Sequence, residues 1–254
     1  MPLALPTKVR VLGLPVSATD LQGVERLATE AVARGEALRV VVTNHNKCWL
    51  AFRDPVLRAC LEDADVVAAE TSVVWAARTL GLQGVEPAWG VALMERFLDR
   101  ASEGGWRVFL LGAREEVNAA LAARCRDRWP GVRVVGRHHG YLDPDAETRV
   151  LDQVTSLAPD LLLVAMGSPL QERFLSRLPT GGGPRVRLGV GGSFDVHAGL
   201  KRDAPAWVRG SGVEWLWRSL QDPRLLRRYA VVNPWFVSAV VRERITGRVP
   251  EPRG

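Results

Sequence analysis

Val186-Arg187-Leu188-Gly189-Val190-Gly191-Gly192-Ser193-Phe194-Asp195-Val196-His197-Ala198-Gly199-Leu200-Lys201-Arg202-Asp203-Ala204-Pro205 is the stretch that decides the fold. An apolar run ends in two glycines and delivers a carboxylate, Asp195, a few residues later. In open α/β sheets ligands sit just past the carboxyl ends of the strands. Glycines there let the backbone approach a ligand closely. Gly191, Gly192 and Asp195 are therefore expected to bind substrate.

Working outward, the same pattern recurs. Strands are expected over residues 9–12, 38–43, 66–69, 108–111, 132–135, 161–165 and 187–190. Helical stretches fall between them, at 19–34, 90–103, 115–129 and 169–178. Thr19-Asp20 is suited to cap the first. Runs such as Leu161-Leu162-Leu163-Val164 are continuous rather than alternating. Such strands are buried on both faces, which predicts a parallel sheet covered by helices on each side. The expected class is α/β: a Rossmann-like, mostly parallel sheet flanked by helices, with a C-terminal helical appendage.

Composition sets outer bounds. The 254 residues suffice for one large domain with an appendage, and 47% hydrophobic with 24% charged residues is ordinary for a globular chain. No apolar run approaches the roughly 20 residues a membrane span needs, and the first ten residues lack the apolar centre of a signal peptide. Cys48, Cys60 and Cys125 have no paired spacing, which points to a reduced compartment without a disulfide framework or zinc site.

Charge is unevenly placed. Residues 1–199 hold 23 basic and 23 acidic side chains, whereas residues 200–254 hold 11 and 5, so the tail carries the whole excess of +6. Four of nine tryptophans, Trp207, Trp215, Trp217 and Trp235, also fall there. Pro223 and Pro234 are expected to divide the apolar rows of 213–244 into about three short helices. Arginine and tryptophan on amphipathic helices suit an anionic membrane surface. Packing of the aromatics onto the body is the simpler alternative. The chain is accordingly divided into an α/β body at 1–200 and a basic helical appendage at 201–254.

Further polar residues cluster at expected strand ends. Thr43, Asn44 and Asn46 follow the second strand. Glu70 and Thr71 follow the third, where an acid also suits the start of a helix. Gly112 ends the Val108–Leu111 run before a helix, a natural phosphate cradle. His138 and His139 follow the next strand, with no third metal ligand spaced nearby. Gln171 follows Gly167-Ser168-Pro169. Two Asp-x-Asp pairs invite a metal reading, but Asp63 and Asp65 precede a strand, and Asp143 and Asp145 look like a turn and helix cap. No metal and no cofactor are expected.

In order, these motifs resemble the WecG/TagA/CpsF glycosyltransferases, also called glycosyltransferase family 26. Carrying the resemblance are Val74-Trp75-Ala76, Gly90-Val91-Ala92-Leu93-Met94, Phe109-Leu110-Leu111-Gly112-Ala113, His139-Gly140-Tyr141, Pro169-Leu170-Gln171-Glu172 and the quoted 186–205 stretch. Gly212-Val213-Glu214-Trp215 and Pro223-Arg224-Leu225-Leu226-Arg227-Arg228-Tyr229 extend it, so it spans roughly residues 7–240. The family's Thr-x-Asn aligns on Thr43 and, with one deletion, on Asn46. Its proposed general-base aspartate falls on Glu70. Pro87 stands where members carry an arginine, and Leu170 where they carry a basic residue.

The resemblance implies an inverting hexosyltransferase, independent of metal. It would move an N-acetylmannosamine-type sugar from a UDP-sugar to a polyprenyl-diphosphate-linked acceptor in cell-envelope polysaccharide synthesis. Glu70 would be catalytic. Thr43, Asn46, Gly112, His139, Gln171, Gly191, Gly192 and Asp195 would bind substrate. Arg218, Arg224, Arg227 and Arg228 would meet the lipid or the diphosphate. It further implies a cytoplasmic protein, peripheral on the inner face of the membrane, able to self-associate. A divergent sugar-nucleotide-binding relative without turnover is the alternative. A nucleotide-dependent oxidoreductase lacks its Gly-x-Gly-x-x-Gly fingerprint. A nucleic-acid partner has no recognisable motif despite the pI near 9.9.

Overall fold

A computed structural model describes residues 2–179, 181–201, 217 and 224–249, the side chains of 224 and 225 excepted. The chain opens with an antiparallel hairpin, β1 (Lys8–Val11) and β2 (Leu14–Ser17). Helix α1 (Leu21–Arg34) leads into β3 (Leu38–Thr43). Helices α2 (His45–Ala51) and α3 (Pro55–Glu62) precede β4 (Val66–Ala69). Helices α4 (Thr71–Thr79) and α5 (Gly90–Gly104) then lead to β5 (Arg107–Gly112). Next come α6 (Glu115–Arg128), β6 (Arg133–His138), α7 (Pro144–Leu157) and β7 (Leu161–Ala165). Helix α8 (Leu170–Ser176), β8 (Val186–Gly189) and α9 (Ser193–His197) close the body, and α10 (Arg224–Thr246) is the last described element.

Six strands form one sheet in the order β4-β3-β8-β7-β5-β6, and every pairing is parallel. The continuous apolar runs are explained by burial on both faces. On one, Val40, Val108, Leu163 and Leu188 pack with residues of α1, α5 and α6. On the other, Val41 and Val67 join a core with α2, α3, α4, α10 and the hairpin. Beside that core, Phe109, Leu111, Leu162 and Val164 pack with residues of α7 and α8. Because the sheet is parallel, the carboxyl ends of all six strands share one edge.

Local chemistry sets the element ends. Asp20 caps α1 by accepting from the Gly23 amide at 2.7 Å, and Gly35 ends it at φ 69°. Asp143 caps α7 from the Ala146 amide at 2.7 Å, as its turn-and-cap reading expects. Asp65 lies at the amino edge of the sheet, where its carboxylate accepts from the Arg39 amide at 2.7 Å.

Two expectations are corrected. The first strand was expected to run to residue 12, but it turns at Leu12-Gly13, both at positive φ, and returns as an unexpected β2. The three short helices expected over 213–244 give way, within the described part, to one 23-residue helix that runs through Pro234. Pro234 and Ala230 are both exposed, so the lost hydrogen bond lies on the side of α10 away from its packed face. The part before residue 224, Trp207, Trp215 and Arg218 among it, lies outside the described residues, Trp217 apart.

The appendage packs on the body through Tyr229, Val232, Phe236, Ala239 and Val240, all buried. Trp235 meets Trp49 and Phe52 edge-on at 4.9 and 5.2 Å between ring centroids. Near its end, Glu243 accepts from the Leu12 amide at 3.0 Å, tying α10 to the hairpin turn. Burial pushes the Glu243 carboxyl above its ordinary value, against the pull of that amide. Between the ordinary glutamate value and the raised folded value, the folded chain holds the extra proton. Stability therefore falls as pH rises through that window. Glu243→Gln is expected to stabilise the protein slightly at pH ~7, with the difference gone below about pH 4, as read by urea unfolding.

Candidate active site

The carboxyl edge of the sheet gathers the polar residues singled out from the sequence. Thr43 ends β3 and is buried, its hydroxyl 3.9 Å from the Cys48 sulfur. Burial pushes the Cys48 thiol up to about 12, so this sulfur stays protonated at neutral pH. At the end of β4, Glu70 occupies the N-cap position of α4 but makes no cap hydrogen bond with its side chain. The carboxylate instead accepts from Asn44 Nδ2 at 2.9 Å. Its helix-starting role is thus backbone only, and its side chain stays half-buried at the edge.

Asn44, not Asn46, is the asparagine the structure brings to Glu70. Asn44 caps α2 with Oδ1 accepting from the Lys47 amide at 3.0 Å, which turns its NH2 toward Glu70. Asn46 sits half-buried in the first turn of α2. The signal was available: an asparagine directly after a strand and before a helix is a strong N-cap. Beside Glu70, Thr71 Oγ1 accepts from the indole of half-buried Trp89 at 2.9 Å. His45 stands behind this group. Its amide and ring approach Ser72 Oγ at 3.0 and 3.2 Å, and its ring lies 5.6 Å from that of Tyr229 on α10.

A second group lies at β8. Gln171 is buried, with its amide lying over Gly189 so closely that a Cβ there would stand 2.6 Å from Nε2. Gln171 Oε1 accepts from the Gly191 amide at 3.0 Å, and Nε2 donates to Glu172 Oε1 at 2.8 Å. Gly191 has φ 52° and is half-buried, and Gly192 is exposed. Asp195 follows on α9, partly exposed, 3.7 Å from Lys201 Nζ.

A third group lies at β5 and β6. Buried Asn118 donates to the carbonyls of Leu110, Gly112 and His138 at 3.0–3.1 Å, drawing the two strand ends together. Gly140 then packs so close to Gly112 that a Cβ on it would stand 2.8 Å from the Gly112 Cα. His139 Nδ1 accepts from the exposed Tyr141's amide at 3.3 Å. Arg227 and Arg228 on α10 are exposed, with the Arg228 guanidinium 5.2 Å from the Tyr229 ring. Only the backbone of Arg224 is described, and Arg218 is outside the described residues.

A parallel α/β sheet with a carboxylate, amides, a threonine and glycine loops along its carboxyl edge is a frame for transferring an activated group. Comparison with known proteins specifies the class. Residues 9–250 match the family described as Glycosyl transferase WecG/TagA/CpsF family, and the chain belongs to that family. It is similar to the N-acetylglucosaminyldiphosphoundecaprenol N-acetyl-beta-D-mannosaminyltransferase of Bacillus spizizenii strain W23, 29% identical over 91% of this chain and 89% of that one. The protein of the same name from Staphylococcus aureus strain MRSA252 is 31% identical over 92% of both chains. The protein is thus a glycosyltransferase of cell-envelope polysaccharide synthesis.

Proposed function

We propose that this glycosyltransferase moves an N-acetylmannosamine-type sugar from a UDP-sugar to N-acetylglucosamine carried on polyprenyl diphosphate. The observation that carries the site assignment is the Glu70 carboxylate: it directly follows β4, makes no cap bond, and is held by Asn44. In the reaction Glu70 takes the proton of the acceptor hydroxyl. The hydroxyl oxygen forms the new bond to the anomeric carbon as the bond to the diphosphate oxygen breaks, and UDP leaves with that electron pair. Attack from the face opposite UDP inverts the anomeric centre, consistent with the beta linkage in the relatives' name. Backbone amides at Gly112 and Gly192 meet the charge of the leaving diphosphate, together with the arginines of 218–228, while the Gly191 amide, held by Gln171, shapes the loop. Thr43, Asn46, His139 and Asp195 complete the substrate-binding set.

The reaction proceeds without a metal. Asp65 and Asp143 spend their carboxylates on the backbone, the former at the wrong edge of the sheet. Transfer in the presence of EDTA, with a beta linkage in the product by proton NMR, supports this reading. Loss of transfer on chelation, restored by a divalent ion, refutes the metal-free part.

The acceptor's lipid places the enzyme at a membrane surface. No helix among the described residues is long and apolar enough to cross a bilayer. Helix α10 instead offers Leu226, Ala230, Pro234, Val237, Val241 and Ile245, all exposed and spaced by three or four positions along one face. Exposed Arg227, Arg228, Arg242 and Arg244 flank that row. This is the pattern of an interfacial helix on anionic lipid. The protein is expected to sediment with phosphatidylglycerol vesicles and to be released by about 1 M salt, where the charge attraction is screened. The replacement Val241→Glu should abolish sedimentation.

A further inference from the structure

The least usual charges in the body lie beneath the site. Lys47 on α2 and Glu172 on α8 form an ion pair at 2.6 Å, with side chains only 6% and 1% exposed. Charges so buried are rare unless they are paired and hydrogen-bonded. One oxygen, Glu172 Oε1, takes three donors: Lys47 Nζ at 2.6 Å, Gln171 Nε2 at 2.8 Å and Ser168 Oγ at 3.1 Å. The donation from Gln171 fixes which end of its amide faces Gly191. With Nε2 tied to the carboxylate, Oε1 must face the Gly191 amide, which it meets at 3.0 Å. Gly189 leaves room for the arrangement, since any Cβ there would strike Gln171.

We propose that Lys47 and Glu172 are positioning residues that orient Gln171 and, through it, hold the Gly191 loop in the shape that receives the nucleotide diphosphate. Gln171, with its amide engaged on both sides, acts mainly through this loop. The inference rests on the reading of a UDP-sugar donor given above. Among the described residues, the hydrogen bond that links Lys47 to the Glu70 side of the site is made by its backbone amide, which donates to Asn44. Side-chain changes at Lys47 therefore leave the Asn44–Glu70 contact in place. Buried ion pairs exchanged for apolar residues of similar volume commonly keep the fold, so the two roles are separable.

The test compares wild type with Lys47→Met/Glu172→Met, which removes both charges and the acceptor oxygen. A second double variant, Lys47→Met/Glu172→Gln, removes the charges and keeps an acceptor. Two quantities are read: hydrogen exchange at the Gly191 amide without ligand, and UDP affinity by calorimetry. In the first variant exchange is expected to quicken by about tenfold or more and UDP affinity to fall about tenfold, the cost of one lost hydrogen bond. In the second both return to within roughly threefold of wild type. The pH dependence of turnover is unchanged in either. Wild-type protection of Gly191 retained in a folded Met/Met variant overturns the proposal. Protection lost in the Met/Met variant, with a wild-type protein that itself binds no UDP, supports the positioning role and refutes the donor.

Discussion

Glu70→Gln is expected to lower the turnover number by about 10²–10⁴-fold, the range for removing a positioned general base. The amide can still accept from Asn44, whose Nδ2 now sits 2.9 Å from Glu70 Oε2, so neither the fold nor the loop should shift. UDP affinity is expected to stay within about threefold, because the lost group acts on the acceptor proton and not on the diphosphate. Steady-state kinetics and calorimetry on the same preparation separate the two. Asn44→Ala should show a smaller loss, about tenfold, since it loosens the carboxylate without removing it. Turnover retained in Glu70→Gln would take Glu70 out of the proton transfer.

The second large effect falls on the fold. Gly112 ends β5 at φ 123°, a backbone conformation open to glycine and costly for other residues. A Cβ there would lie 2.5 Å from the carbonyl carbon and oxygen of Ala165 and 2.7 Å from its nitrogen. These are backbone atoms of the neighbouring strand, paired in register as Gly112 with Ala165, and cannot swing aside. Gly112→Ala is expected to destabilise the protein by about 3 kcal/mol or more. For a chain of this size that is roughly a 10 °C fall in Tm, read by circular dichroism. Gly167, where nothing stands within 4 Å of a built Cβ although φ is 76°, is the matched control. Gly167→Ala should cost clearly less, since it meets strain without a clash.

How far the sequence disclosed this arrangement depended on burial. The strands expected at 38–43, 66–69 and 161–165 coincide with β3, β4 and β7, because these parallel strands are buried between apolar layers and their runs are unbroken. The hairpin return was hidden for the opposite reason. Leu14–Ser17 is four residues long and follows a turn in which Leu12, a residue that usually avoids positive φ, takes φ 52°. The long last helix was hidden by Pro234, since proline normally ends a helix and this one sits on the exposed side, away from the packed face, where the helix continues past it. In the site, motif spacing pointed to Asn46, while capping chemistry placed Asn44 against Glu70. The Lys47–Glu172 pair had no local trace, because its partners are separated by 125 positions and meet only when α2 and α8 are brought to the same edge.

The measurement that tests the central claim most directly is release of UDP from UDP-N-acetylmannosamine, with and without a polyprenyl-diphosphate-linked N-acetylglucosamine acceptor. The account predicts rapid release only when the acceptor is present, and one new sugar on the acceptor for each UDP formed. Release at the same rate without acceptor, or binding of UDP with no release under any condition, would contradict it.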